Sequence, residues 1–203
     1  MKCLLLIDVQ NDFMPGGALA VQEGDEIIPV INKIQEKFEL VVATQDWHPE
    51  GHASFASSHP DHSVFETIRL EGLDQVLWPD HCIQDSDGAN FHPDLVESRI
   101  EAVFRKGTNP KIDSYSGFYD NAHLKSTGLS GYLKDKKVTE IYVAGLAADY
   151  CVYFSIKDAL AEGFEVCLLE DATRAIDAKN YQKAKTEMLR RGARILTSEE
   201  LIF

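Results

Sequence analysis

Short apolar runs separated by longer helix-patterned stretches set the rhythm of this chain. Residues 3–9, 40–44, 102–104, 138–144, 166–169 and 194–196 are rich in Val, Ile and Leu and carry little of the alternation expected of half-exposed strands. Runs of this kind read as strands buried on both faces. Between several of them the apolar positions change to a period of three to four. In residues 25–37, Ile27, Ile28, Ile31 and Ile34 share one helical face, with Pro29 tolerated in the first turn. In residues 178–191 the stripe is Tyr181, Ala184 and Met188, and residues 152–161 also read as a helix. Strands alternating with helices predict an α/β fold: a doubly wound, six-stranded, mainly parallel sheet with helices on both faces.

Two stretches break the pattern. Residues 45–92 show little periodicity, are rich in Pro, Gly, Ser and Asp, and hold six of the seven histidines. Compact domains seldom keep so long a loop without a function for it. Residues 106–121 are rich in Gly, Ser and Tyr. Each stretch begins at the carboxyl end of an expected strand. Asp8 stands at the end of the first strand, and Cys151 follows the fourth. Right-handed crossovers place strand ends of this kind along one edge of the sheet, where doubly wound folds bind their ligands.

Composition narrows the classes of function. The 203 residues, 44% hydrophobic, suit one core, and a single domain spanning 1–203 is expected, with no repeat or linker dividing it. Acidic residues outnumber basic ones 33 to 20, and the basic ones are scattered, so nucleic acid and anionic membrane are poor partners. The first strand follows Met1-Lys2 directly and soon meets Asp8, unlike a signal peptide, and no apolar run reaches the length of a membrane helix. Cys3, Cys82, Cys151 and Cys167 form no C-x-x-C pair. Reduced thiols and a cytoplasmic location are the expectation. No interface signature sets the oligomeric state, which leaves a homo-oligomer open.

The candidate chemistry lies where the irregular stretches converge. Cys151 sits at a strand-to-helix turn, in the sequence Gly145-Leu-Ala-Ala-Asp-Tyr-Cys151. A helix N-terminus favours the thiolate, which makes the residue a candidate nucleophile; the alternative is a small hydrophobe packed in the core. No histidine lies near it in sequence. Asp8 and Lys106 are ionisable groups at the ends of core strands, where an unpaired charge is expensive. An aspartate between a lysine and a thiol can take the thiol proton and return it to a leaving amine, although a plain buried ion pair accounts for the same two residues. Asp46 and His48 point the same way in an extended segment, and His81 can approach from the far end of the loop. Two nitrogens and an oxygen suit zinc, iron(II) or manganese, with His52 a further candidate ligand; solvated loop histidines are the other reading. His59 and His62 stand in a polar context and read as surface residues.

Five ordered segments carry a resemblance that none carries alone: LLLIDVQNDFMPGGALAV, VVATQDWHPEGHASFA, LWPDHCIQ, FRKGTNPKIDSYSGF and VAGLAADYCV. Together they resemble the isochorismatase-like cysteine hydrolases, and within them the nicotinamidases (pyrazinamidases), nearly end to end. The resemblance implies a catalytic set of Asp8, Lys106 and Cys151. It implies an oxyanion hole from the backbone N–H groups of Ala147, after a cis peptide, and of Cys151. The implied metal ligands are Asp46, His48 and His81, with His52 a ligand only in some members; the implied metal is divalent, zinc first, with iron or manganese also suited. Phe13, Trp78 and Tyr115 match the aromatic walls around the substrate ring. The implied reaction converts nicotinamide to nicotinate and ammonia through a thioester on Cys151, with pyrazinamide as a second substrate. Two alternatives are a relative acting on isochorismate, an N-carbamoyl compound or another small amide, and a catalytically silent α/β metal-binding protein. The residues alone do not separate NAD salvage from broader amide hydrolysis. One departure stands out: relatives commonly carry a threonine where this chain has Ala148, and the missing hydroxyl is expected to weaken a hydrogen bond near the turn.

Overall fold

The computed structural model describes residues 1–202 and contains all six expected strands in one sheet. In chain order the elements are β1 (Lys2–Ile7), α1 (Ile27–Gln35), β2 (Leu40–Asp46), β3 (Thr67–Leu70), β4 (Leu73–Val76) and β5 (Ile100–Lys106). They continue with α2 (Leu129–Asp135), β6 (Glu140–Leu146), α3 (Cys151–Ala161), β7 (Glu165–Arg174), α4 (Ala178–Arg190) and β8 (Arg194–Leu196). The sheet order is β5-β2-β1-β6-β7-β8, and every neighbouring pair is parallel. Strands β3 and β4 form a separate antiparallel hairpin.

The sheet is covered on both faces because its strands are apolar on both. Leu4 and Leu6 of β1, Val41 and Ala43 of β2, and Tyr142 and Ala144 of β6 pack with the four isoleucines of α1. Cys3, Leu5 and Ile7, together with Val42 and Val143, face α2, α3 and α4 through Leu129, Leu133, Val152, Ile156, Ala184 and Met188. Burying Ile27, Ile28, Ile31 and Ile34 contributes roughly 1.5–3 kcal/mol each, which fixes α1 to its face. Among the described residues no helix is long and apolar enough to cross a membrane.

The differences from the sequence reading have local causes. Strand β1 stops at Ile7, two residues early, because Asp8 turns out of the strand with φ 49°. Strand β5 extends beyond the expected 102–104 at both ends. It is a sheet edge whose outward residues Glu101, Val103 and Arg105 are exposed, so charge masks it. Strand β7 continues five residues past Leu169, pairing Thr173 with Gly145 after a register shift. The connection from β2 to β5 carries no helix: residues 47–99 hold the hairpin and short 3₁₀ turns instead. Helix α2 is only seven residues long, too short for a periodic signal.

The order in which strands are added reverses beside β1. From there the order runs outward through β2 and β5 on one side and through β6, β7 and β8 on the other. The carboxyl ends of β1 and β6 therefore flank the crevice where such folds bind ligands. Ile7 pairs with Gly145 there. A Cβ on Gly145 would lie 2.0 Å from the Ile7 carbonyl oxygen, so only glycine lets the two strand ends approach this closely.

Candidate active site

Each of the four chemistry-bearing residues of the site sits at a strand end or the helix start that follows one. Asp46 closes β2 and Lys106 closes β5, and the two are register partners, so their side chains rise from the same level of the sheet. Asp8 follows β1 on the adjacent strand, and Cys151 opens α3 after β6. Lys106 binds them together. Its Nζ lies 2.9 Å from Asp8 Oδ2 and 3.1 Å from Asp46 Oδ1, and it donates to the Ser114 carbonyl at 2.9 Å and to Cys151 Sγ at 3.5 Å. Thr44 Oγ1 donates to Asp8 Oδ1 at 2.6 Å. Asp8, Asp46 and Lys106 are all buried, and Cys151 keeps a 7% exposed surface toward the cavity.

Burial and pairing set the protonation of this cluster. Burial raises the Asp8 carboxyl, and the Lys106 charge only partly opposes it. Burial also favours a neutral Asp46, but His48 and Lys106 overcome this and hold it well below the usual carboxylate range. Desolvation of the Lys106 ammonium is outweighed by Asp46 and Asp8, so it stays charged well above its ordinary value. The Cys151 thiol is pushed well up by burial, against the pull of Lys106. The pull of the helix start toward the thiolate is therefore outweighed by burial, and a desolvated thiol beside two carboxylates needs the base expected in Asp8. Asp8 is within reach, since acceptor atoms of Asp8, Asp46 and Cys151 lie within 4.8 Å of one another.

The residues expected to hold a metal also converge. Ligand atoms of Asp46, His48 and His81 lie within 4.8 Å of one another, all buried. His48 Nδ1 pairs with the Gly107 carbonyl at 3.0 Å and His81 Nδ1 with the Pro79 carbonyl at 2.8 Å. That arrangement engages each Nδ1 with a backbone acceptor and turns Nε2 inward, as such contacts do for metal-binding histidines. His48 Nε2 is buried with no hydrogen-bond partner, 3.2 Å from Asp46 Oδ1. An orphaned imidazole nitrogen facing a carboxylate and a second imidazole fits a divalent transition metal. His52 is not brought into this group. Its Nδ1 pairs with Ser54 Oγ at 2.8 Å and its Nε2 with the Asn109 carbonyl at 2.7 Å, so both nitrogens are engaged. His62 is exposed and pairs with Glu66, and His59 is half-buried against the Ala53 carbonyl.

Above the cluster opens a small cavity lined by Phe13, Trp78, Tyr115, Asp46, His81, Ala147 and Cys151. Leu19, Asp113, Tyr150 and Ile176 line it as well and were not anticipated. Tyr150 packs edge-on against Trp78 at 4.8 Å and against Tyr115 at 5.5 Å. Its place beside Cys151 in the sequence was the available signal. The peptide between Leu146 and Ala147 is cis. Around it the carbonyl of Ala147 accepts from Tyr150 and Val152, and the Ala148 N–H donates to Arg174; the N–H groups of Ala147 and Cys151 take no part in these bonds. The Ala148 methyl is fully buried. The turn is braced instead by Thr173 Oγ1 on the Gly145 carbonyl and by Asp149, which accepts from Ile176 and Asp177.

A small cavity at the switch point of a doubly wound parallel sheet, floored by a buried acid, cation and thiol, defines an α/β enzyme of the hydrolytic kind. The family model for the isochorismatase domain matches residues 2–200, and the chain belongs to the isochorismatase family. It is 46% identical over 202 residues to the nicotinamidase of Escherichia coli, covering 97% of this chain and 94% of that protein. A solved nicotinamidase/pyrazinamidase of Acinetobacter baumanii superposes with a TM-score of 0.97 at 46% identity, covering 99% and 98% of the two chains. The pyrazinamidase of Pyrococcus horikoshii, solved in complex with zinc, superposes with a TM-score of 0.79 at 40% identity, covering 97% and 98%.

Proposed function

We propose that this protein is a nicotinamidase, hydrolysing the carboxamide of nicotinamide to nicotinate and ammonia and accepting pyrazinamide as well. The observation that carries the reading is Lys106, whose ammonium touches Asp8, Asp46 and the Cys151 sulfur at the floor of an aromatic cavity. The activity resides in one domain spanning residues 1–203, with the loop of residues 45–92 supplying metal ligands and part of the substrate wall.

In this mechanism Phe13, Trp78 and Tyr115 enclose the flat ring and bring the carboxamide over Cys151. Asp8 takes the thiol proton as the sulfur attacks the amide carbon, a base whose raised affinity for protons matches a reluctant thiol. The N–H groups of Ala147 and Cys151 receive the developing oxyanion, donors of a kind worth on the order of 10²–10³-fold in rate. When the C–N bond breaks, Asp8 passes its proton to the departing ammonia and a thioester remains on Cys151. Water then attacks the thioester carbon and gives a proton to Asp8. The C–S bond breaks, the proton on Asp8 returns to the thiol, and the acid leaves, giving up its remaining proton to solvent as nicotinate. Lys106 stays charged throughout and balances whichever of Asp8 or Cys151 is anionic. Asp46, His48 and His81 would hold a divalent transition metal, zinc first, which would supply a Lewis-acid anchor for the ring nitrogen. The product is the acid that feeds NAD salvage.

The test is ammonia release from nicotinamide and pyrazinamide by the purified protein, with and without chelation. Cys151→Ala is expected to fold normally and release no ammonia. Turnover like that of the unmodified protein by this variant sinks the cysteine mechanism.

A further inference from the structure

The hairpin of β3 and β4 lies mostly in solvent, yet it buries one glutamine. Gln75 is 3% exposed on a strand whose neighbour Asp74 faces water. A side-chain amide held this deeply requires partners, and two of them, Tyr115 and Asp113, line the cavity. Gln75 Nε2 donates to the Val76 carbonyl at 2.8 Å and to the Tyr115 hydroxyl at 2.9 Å, and Asp113 Oδ2 at 3.2 Å shares its two protons. Asn121 Nδ2 donates to its Oε1 at 3.4 Å. The Tyr115 hydroxyl in turn accepts from Trp78 Nε1 at 3.3 Å.

Tyr115, Asp113 and Trp78 all line the cavity above Cys151, whereas Gln75 does not. The other oxygen of Asp113 accepts from the Ser114 N–H at 2.7 Å and stands 3.9 Å from His48 Nε2. One amide thus ties the Tyr115 hydroxyl to the carboxylate of Asp113 and, through Tyr115, to the indole of Trp78. Tyr115 and Trp78 meet edge-on, an arrangement that a freed hydroxyl would no longer hold in register. None of these contacts reaches Asp8, Lys106 or the Cys151 sulfur.

We propose that Gln75 is a positioning residue for substrate binding: from the hairpin it locks the Tyr115, Trp78 and Asp113 wall of the cavity, and so sets affinity for the substrate ring without taking part in the chemical step. The proposal rests on the nicotinamidase reading for its kinetic test. Gln75→Leu removes both donors at similar volume. Its KM for nicotinamide is expected to rise about tenfold or more with kcat held within about threefold, the pattern of lost uniform binding. Gln75→Glu keeps the shape but sets a carboxylate against Asp113 and is expected to raise KM further; it also serves if the leucine variant does not fold. A folded variant with unchanged KM, or one in which kcat falls and KM does not, overturns the proposal.

A readout without substrate separates this proposal from the functional one. In a Trp47→Phe background the remaining indole N–H resonance is that of Trp78, and Gln75→Leu is expected to shift it through Tyr115. If the protein releases no ammonia but the resonance shifts, the nicotinamidase reading fails and the positioning role stands. An unmoved resonance refutes the positioning role whatever the activity.

Discussion

Replacing Lys106 by methionine removes the ammonium that lies 2.9 Å from Asp8 Oδ2 and 3.1 Å from Asp46 Oδ1, and leaves a side chain of similar length in its place. The two carboxylates then face each other with acceptor atoms within 4.8 Å, a separation at which two unit charges repel by about 3.5 kcal/mol at an effective dielectric constant of about 20. Both are buried, so water offers little relief. Stability measured by urea denaturation of chelated protein is expected to fall by roughly 3–5 kcal/mol, as when one partner of a buried ion pair is deleted. The strain is relieved by protonating Asp8, whose carboxyl burial already pushes up. A neutral Asp8 cannot take the thiol proton, so ammonia release is expected to drop by roughly 10²–10⁴-fold, the usual worth of general base catalysis. Asp8→Asn added to Lys106→Met removes the excess charge. It is expected to recover most of the lost stability and none of the turnover. The reasoning is refuted if Lys106→Met unfolds within about 0.5 kcal/mol of the unmodified protein, the range of an ordinary surface change, and still turns over within tenfold of it.

His48→Ala and His81→Ala are each expected to lower the metal bound per chain, read by elemental analysis, and to raise KM; unchanged metal content refutes the ligand assignment. Gly107→Ala places a Cβ 2.5 Å from the His48 ring at a φ of +66°, and should weaken metal binding by roughly 10–100-fold, as loss of an orienting contact does. Glu162 accepts hydrogen bonds from Lys134, Ser130 and Tyr119, which lower its carboxyl to about 2. Because its folded value is depressed below the unfolded one, this contribution is present above the unfolded value of about 4.5 and is lost as pH falls toward 2. Glu162→Gln should therefore flatten the acid limb of a stability profile between those values; an unchanged limb would show that the three bonds carry no pH-dependent stability.

The sheet was legible because burial on both faces leaves a nearly unbroken apolar run. The four central strands and α1 announce themselves this way through Leu4, Val42, Val143, Leu168 and the isoleucines of residues 27–34. Legibility failed where one side of an element meets solvent. Edge strand β5 hides behind Glu101 and Arg105, and β7 runs on through the mostly polar residues 170–174 with a register shift that no local pattern announces. The hairpin in the long loop alternates only weakly, and no local pattern singles out Gln75, its one deeply buried polar residue.

For the site, Asp8 and Lys106 were nominated because a charge at the end of a core strand must pair or reach a cleft, Asp46 by its spacing to His48 in an extended segment, and Cys151 by its strand-to-helix turn. Family resemblance added the aromatic residues. Tertiary structure alone decided the rest, since it depends on distances between segments far apart in the chain. It placed Lys106 against Asp8, Asp46 and the sulfur together, and it raised a thiol that its helix position was expected to lower. It engaged both nitrogens of His52 while leaving His48 Nε2 bare, and it brought Tyr150, Asp113 and Ile176 to the cavity. Apolar periodicity is a property of neighbours in sequence and survives in a string of letters. Desolvation and pairing are properties of neighbours in space, and only the folded chain supplies them.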